Sequence, residues 1–259
     1  MPDDLISNSI RRKGIYDVVT AEVIYRLLDD AAQALDIGAH VGIMSVVMGL
    51  RVGRGGEVRS LEPHPELFSK LQSNALRLNS MLGSTVILPL AAAASDHAGP
   101  QQLALPRDWS KNTGGGRIPA SPQTGEGGST IAVECVTLDG AFPSSFLPTL
   151  VKLDVEGHEI AVLRGAANLL SRSIRDVVFE DFGSYPSPVM ALLEAAGFLV
   201  FALWRSALRP KLAPPGRRGV PPRADPNYLA TRDPDRVRRR LAPAGWNVLE
   251  RLARSTGST

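Results

Sequence analysis

An apolar strand that ends on a carboxylate and then turns through two glycines into an apolar helix leaves few folds open. Leu35-Asp36-Ile37-Gly38-Ala39-His40-Val41-Gly42 has that form, and residues 43–50 continue it as a helix. Glycines at such a turn let the chain reverse tightly and let a ligand approach the backbone. Their spacing here is Gly-x-x-x-Gly, whereas dinucleotide enzymes use Gly-x-Gly-x-x-Gly, so the pyrophosphate fingerprint is missing. Asp36 would repel a pyrophosphate. It could accept hydrogen bonds from an amino-acid ammonium, directly or through water. A plain strand-to-helix turn is the bland alternative.

The rest of the chain repeats the alternation. Val18, Val19, Val23, Ile24, Leu27 and Leu28 recur at helical spacing within 15–33. Strands are expected at 58–62, 86–90, 131–136, 150–154, 177–180, 198–204 and 228–231. Helices are expected at 65–78, 157–170 and 188–196, with a basic amphipathic helix last. Residues 106–130 and 209–226 lack an apolar pattern and read as long loops. Strands alternating with helices give an α/β fold, a doubly wound, mostly parallel sheet with helices on both faces. Ligands bind such sheets beyond the carboxyl ends of the strands. Four separate segments bring glycine or polar residues to that edge: 36–42, Glu62, 154–159 and Glu180-Asp181.

Two of these segments sharpen the chemistry. Glu62, in Ser60-Leu61-Glu62-Pro63-His64-Pro65, closes the second strand, where a carboxylate can accept both ribose hydroxyls of a nucleoside. Val151-Lys152-Leu153-Asp154-Val155-Glu156-Gly157-His158-Glu159 places three carboxylates and a histidine within six residues. That is poor helix or strand design unless something binds there. Acids at a plain helix N-terminus are the alternative, chiefly for Glu159. A ligand with an ammonium, a ribose and no phosphate suits these features, and S-adenosylmethionine is one.

Composition excludes little beyond this. The net charge of +3 is too weak to argue for nucleic acid, and the arginines near the C-terminus read as a solvated basic tail over 236–259. Cys135 is the sole cysteine and sits in an expected strand, so it reads as a buried inert thiol in a reducing, cytoplasmic setting. No apolar run has the length of a signal peptide or a membrane span, so no membrane partner is expected. The expected division is an N-terminal helical segment at 1–33, a possible cap over an acceptor, a core domain at 34–235 and the basic tail.

Asp-Ile-Gly-Ala-His-Val-Gly at 36–42, Leu-Glu-Pro-His-Pro at 61–65, Val-Thr-Leu-Asp at 136–139, Val-Lys-Leu-Asp-Val-Glu-Gly-His-Glu at 151–159 and Leu-Arg-Gly-Ala at 163–166 resemble the FkbM family of class I methyltransferases. The resemblance runs from about residue 30 to about 205, and its most specific part is Asp-x-Glu-Gly-x-Glu. It implies a Rossmann-like fold, S-adenosylmethionine as donor and, usually, O-methylation of sugars, polyketides or other metabolites. Two departures stand out. His40 replaces a frequent asparagine, and Ala91-Ala92-Ala93-Ala94 lacks the polar residue expected near Ala91. Adenine recognition at Ala92 is therefore expected to rest on backbone groups and apolar contact.

The resulting expectations are specific. Asp36, Gly38, His40, Gly42, Glu62, Pro63, Ala92 and Asp154 are candidate donor-binding residues. Asp154 and His158 are candidate bases for deprotonating a hydroxyl acceptor, with Glu180 in reserve. Trp109, Asn112, Glu156 and Glu159 are candidate acceptor contacts, and Trp204 could stack on a substrate ring. Asn112-Thr113-Gly114-Gly115 resembles a recurring Asn-x-Gly element of the family. Asp154, Glu156 and Glu159 could hold a hard divalent ion, but no metal is expected. Methylation of an amine or of RNA, a non-catalytic nucleoside-binding role and a nicotinamide dehydrogenase are the competing readings. The glycine turn and the acids are all present, which weighs against the non-catalytic reading. The oligomeric state is open.

Overall fold

A computed structural model describes residues 16–109, 113–119, 128–215 and 226–255. Its elements in chain order are α1 (Val18–Leu27), β1 (Gln33–Ile37), α2 (Ile43–Val52), β2 (Glu57–Leu61), α3 (Pro65–Leu82), β3 (Ile87–Leu90), β4 (Ala93–Ala94), β5 (Gly99–Leu105), β6 (Ser129–Val136), α4 (Leu138–Ala141), β7 (Leu150–Leu153), α5 (Glu159–Arg164), α6 (Ala167–Arg172), β8 (Asp176–Glu180), α7 (Pro188–Ala195), β9 (Leu199–Arg205), β10 (Pro210–Ala213), β11 (Asn227–Thr231), α8 (Pro234–Leu241) and α9 (Asn247–Ser255).

An eight-stranded sheet runs in the order β10-β9-β11-β8-β7-β1-β2-β3. Strands β3, β2, β1, β7 and β8 are parallel, β11 is antiparallel to both β8 and β9, and β10 is antiparallel to β9. The chain leaves β1 towards β2 and β3 and later returns to β7 on the other side of β1. The order therefore reverses between β1 and β7, which is where a doubly wound sheet opens a crevice.

Apolar side chains cover both faces. One core joins α1, α2 and α3 through Ile24, Leu27, Met48 and Leu78, and it takes in Val237, Leu241 and Val248 from the C-terminal helices. The opposite core joins Leu138, Val162, Leu169, Met190 and Leu193 to the other face. The parallel strands between them are buried on both sides, hence apolar without alternation. This is the expected Rossmann-like arrangement. Among the described residues, no helix is long and apolar enough to cross a membrane.

Several sequence expectations need correction. Residues 99–105 form a strand, β5, that pairs antiparallel with β6 in a small sheet of order β4-β6-β5. Its exposed half, Gly99-Pro100-Gln101-Gln102, gave no apolar alternation to read. The segment 106–130 is not wholly loop, because Arg117 folds back to bridge Ala104 and β6 begins at Ser129. The helix expected over 157–170 is two. A Cβ on Gly165 would lie 1.9 Å from the Ser95 carbonyl oxygen, so only glycine passes there. The Asp139 carboxylate then accepts from the amides of Asn168 and Leu169 at 2.8 and 2.9 Å, starting a new helix. The helix expected over 15–33 closes earlier, at Leu27, where Leu28 turns extended. In the second long loop, β10 edges the sheet, and 216–225 lie outside the described residues.

The basic tail is not a solvated appendage. Arg236 pairs with the fully buried Asp176 at 2.9 Å and also reaches the Leu27 carbonyl. Arg240 contacts Asp29 and the carbonyls of Arg26, Leu27 and Leu28, closing the C-terminal end of α1. In return, Glu22 of α1 accepts from the amides of Asn247 and Val248 at 2.9 and 2.8 Å. The boundaries expected at 33/34 and 235/236 therefore fall inside one packed core. Cys135 is buried, and burial lifts its thiol to about 11, in keeping with an inert group.

Candidate functional site

A cavity of about 620 Å³ opens over the carboxyl ends of β1, β2, β7 and β8, at the reversal point of the sheet. On the β1/β2 side it is lined by Gly38, Ala39, His40, Glu62, Pro63, His64 and Ala92. Gly38 and His40 have positive φ of 72° and 53°, so the chain turns sharply after β1. A Cβ on Gly38 would sit 1.8 Å from the Asp154 carbonyl oxygen. The first glycine is therefore required by the neighbouring loop as well as by the turn. Gly42 does not line the cavity. It faces α3, where a Cβ would meet Leu71 at 2.6 Å, so its role is helix packing and not the donor contact expected from sequence.

Glu62 is almost fully enclosed. One carboxylate oxygen accepts the His40 amide at 2.8 Å, and the other accepts the His64 amide at 2.9 Å. Burial pushes its carboxyl up to about 7, against the pull of both amides and of Lys152, while Asp36 adds to the rise. Each oxygen keeps lone-pair capacity for a further donor.

Asp36 is not where the sequence reading put it. It is fully buried behind the turn and outside the cavity lining, and it accepts from the Ser45 hydroxyl at 2.5 Å. The ammonium beside it is the protein's own: Lys152 Nζ lies 3.7 Å from Asp36, donates to the Gly38 carbonyl at 2.9 Å and pairs with Asp154 at 3.1 Å. Burial alone would lower the Lys152 pKa, but Asp154 and Asp36 outweigh it and hold the group above its usual range. Lys152 was not among the residues expected at the site. Its signal was a lysine in the middle of the apolar strand Leu150-Val151-Lys152-Leu153.

Beyond β1 the cavity spreads over β7, β8 and the start of β11. Asp154, Glu156 and Glu180 line it, joined by Tyr16, Asp17 and Asn227. Asp17 caps α1, accepting from the Thr20 amide at 3.1 Å, and its other oxygen accepts from the Asn227 side chain at 2.9 Å. Burial raises both Glu156 and Glu180 to about 7, and Asp154 adds to each rise. Glu156 holds a positive φ of 53°.

Two neighbours of these acids are turned to other work. Glu159 does not line the cavity; its carboxylate accepts from the amides of Gly157 and Val155 at 3.1 and 3.4 Å, bracing its own loop. That replaces the acceptor contact expected of it. His158 does line the cavity, but Nε2 lies 3.0 Å from the buried Ser95 hydroxyl. Burial lowers its pKa, with Asp96 opposing. A base already engaged at that nitrogen is a poor match for the role expected from sequence.

Leu103 of β5 lines the cavity together with Trp109, Thr113 and Ile118 from the loop between β5 and β6. Trp109 packs against His64 with ring centroids 4.5 Å apart, and His40 Nε2 meets the Thr113 hydroxyl at 2.8 Å. The loop is thus tied to both the glycine turn and the tip of β2. Asn112 lies outside the described residues. Trp204, in β9 opposite Lys211, does not line the cavity. Asp17 and Asn227 join the site by tertiary approach from segments that carry no motif, whereas His64 and Thr113 lie inside quoted motifs without having been expected at the site.

A family model described as the methyltransferase FkbM domain matches residues 36–200. The hexuronic acid methyltransferase AglP of Haloferax volcanii is 28% identical over 179 residues, covering 68% of this chain and 68% of that protein. Among solved structures, a methyltransferase FkbM from Methylobacillus flagellatus aligns with a TM-score of 0.49 at 17% identity. That alignment covers 79% of this chain and 44% of the other, so the chain spans less than half of that protein's length. A SAM-dependent O-methyltransferase from Thermotoga maritima aligns with a TM-score of 0.46 at 16% identity, covering 88% of this chain and 71% of that one.

Proposed function

The chain belongs to the FkbM methyltransferase family, and from that premise we propose that it transfers a methyl group from S-adenosylmethionine to a hydroxyl of a small metabolite, a sugar, polyketide or similar compound. The observation that carries the donor assignment is Glu62. Its carboxylate stands at the tip of β2, held by the His40 and His64 amides, beside a glycine turn that lacks a pyrophosphate fingerprint. Such a group can take two ribose hydroxyls, and the cavity volume falls within the range of about 300–1,000 Å³ typical of small-molecule sites. Pro63, Ala92, Leu103 and Ile118 offer apolar contact to a purine.

When bound, the donor supplies a methyl group activated by a sulfonium: the carbon–oxygen bond to the acceptor forms as the carbon–sulfur bond breaks, and a neutral thioether leaves. The protein's task is to align the acceptor and to take its proton. The acceptor sits over β7, β8 and β11, because the β1/β2 side is assigned to the donor. Glu180 takes the hydroxyl proton, since a carboxyl near 7 is poised between its two states at neutral pH. Asp154, fixed by Lys152, orients the acceptor or the donor's amino-acid end. The start of α1 caps the acceptor through Tyr16 and Asp17, and Trp109 and Glu156 add contacts. The relative from Haloferax volcanii carries hexuronic acid in its name, which favours a sugar-like acceptor.

Calorimetric titration with S-adenosylmethionine and S-adenosylhomocysteine tests the donor. Micromolar binding that is lost in Glu62→Ala, with no response to NAD, is the expected result. A folded protein that binds neither compound would overturn the proposal.

A further inference from the structure

We propose that Lys152 is a positioning residue for the whole cavity, a shared counter-cation whose one ammonium fastens the glycine turn to the Asp154 loop and faces the carboxylates on both the donor and the acceptor side. Its effect on catalysis rests on the methyltransferase reading; its effect on the carboxylates does not.

The geometry is central. Lys152 rises from the middle of β7, the strand beside the reversal point, and is nearly excluded from solvent. Of its three N–H groups, one donates to the Gly38 carbonyl at 2.9 Å and one reaches Asp154 at 3.1 Å. Asp36 Oδ1 lies 3.7 Å away and has no hydrogen-bond partner among the described residues, so Lys152, with the Ser45 hydroxyl on Oδ2, compensates this fully buried carboxylate. The turn and the loop that Lys152 joins are already in contact, as the 1.8 Å approach of a Gly38 Cβ to the Asp154 carbonyl shows. Loss of the ammonium would loosen both at once.

The acidic groups around Lys152 come from several elements, Asp36 from behind the turn and the others from the cavity lining. Asp36 comes from β1, Glu62 from the tip of β2, Asp154 and Glu156 from the loop after β7, Glu180 from β8 and Asp17 from the cap of α1. Lys152 acts to lower the pKa of Asp36, Glu62, Glu156 and Glu180 alike, and of these Glu156 also feels Arg117. Glu62 and Glu180 stand near 7 even with that help. Without it both would be protonated to a greater extent at neutral pH. Glu62 would then have less capacity to accept ribose hydroxyls, and Glu180 would less often be free to take a proton.

The test uses the full chain and three variants. Lys152→Met removes the charge, Lys152→Arg keeps it, and Lys152→Met with Asp36→Asn removes both buried charges in case the single variant does not fold. Carboxyl carbon shifts followed by NMR against pH in the ligand-free protein are the first readout. The titration midpoints of Glu62 and Glu180 should rise by about one unit in Lys152→Met and return towards wild type in Lys152→Arg. In the double variant Glu180 should still rise, because Asp36 is not among the groups acting on it. S-adenosylhomocysteine affinity is the second readout. It should fall about fivefold at pH 7 in Lys152→Met and recover by pH 9. Unchanged midpoints in a folded charge-removal variant would overturn the proposal, as would an affinity loss equal at every pH. A wild-type protein that binds no S-adenosylhomocysteine would overturn the methyltransferase reading instead, leaving the carboxyl titration to decide the role of Lys152.

Discussion

The Glu62 carboxylate receives the His40 amide at 2.8 Å, which makes the turn after β1 and the tip of β2 one unit. A ligand that bonds to Glu62 therefore also meets a backbone whose position Glu62 fixes. Glu62→Gln keeps the shape but turns an acceptor oxygen into an N–H donor that faces another donor, an amide. S-adenosylhomocysteine affinity should fall about 10- to 100-fold, more than the loss of one ribose hydrogen bond would give. Calorimetry at pH 8 on a variant with a native circular dichroism spectrum checks this.

The raised carboxyl of Glu62 gives stability a definite pH slope. Its folded pKa of about 7 lies above the usual carboxylate value of 4.5, so between those values the folded state binds more protons than the unfolded one. Stability then falls as pH rises through that window. The ligand-free protein should be more stable at pH 5.5 than at pH 8, by about 2 kcal/mol at most from this one group. Glu62→Gln should flatten the slope in urea denaturation followed at a series of pH values. Donor affinity should run the opposite way, rising with pH through 7 as Glu62 ionises.

Glu180→Gln isolates the proton acceptor from donor binding. The rate of methyl transfer to a hydroxyl acceptor should fall by about 10²–10⁴, with S-adenosylhomocysteine affinity within about threefold of wild type. The acid limb of the rate profile, expected near pH 7, should disappear with it. His158→Gln should cost much less, because His158 is engaged with Ser95.

Arg236 is a structural cation. Arg236→Ala leaves the fully buried Asp176 with Thr231 at 2.7 Å and Arg175 at 3.4 Å. Breaking one side of such a pair costs about 3–5 kcal/mol. Asp176→Asn on that background should restore part of the loss, and urea denaturation of the single and double variants measures both.

The sheet, the glycine turn and most of the acids were legible in the sequence, because strand ends in a doubly wound fold share one edge. What escaped follows from physics that acts between segments. Asp36 looked like a ligand contact because nothing in the sequence says that Lys152 fills the space beside it. Glu159 and Glu156 stand three residues apart in one motif, yet only the structure shows that one braces the loop while the other lines the cavity. The break at Gly165 depends on the Ser95 carbonyl, 70 positions earlier in the chain. Arg236 and Arg240 read as solvated because charge composition cannot show a buried Asp176 or the open carbonyls at the end of α1.

The two halves of the cavity differ in the length of chain that must be gathered to make them. Glu62 and His40 are 22 residues apart, whereas Asp17 and Asn227, which bond across the wall proposed for the acceptor, are 210 apart. Closing the longer loop costs more entropy and comes later. A nascent chain halted before residue 227 would hold Glu62 and His40 but lack the strand that joins β8 to β9. On the proposed function, the wall that selects the acceptor is thus the last part of the site to be made.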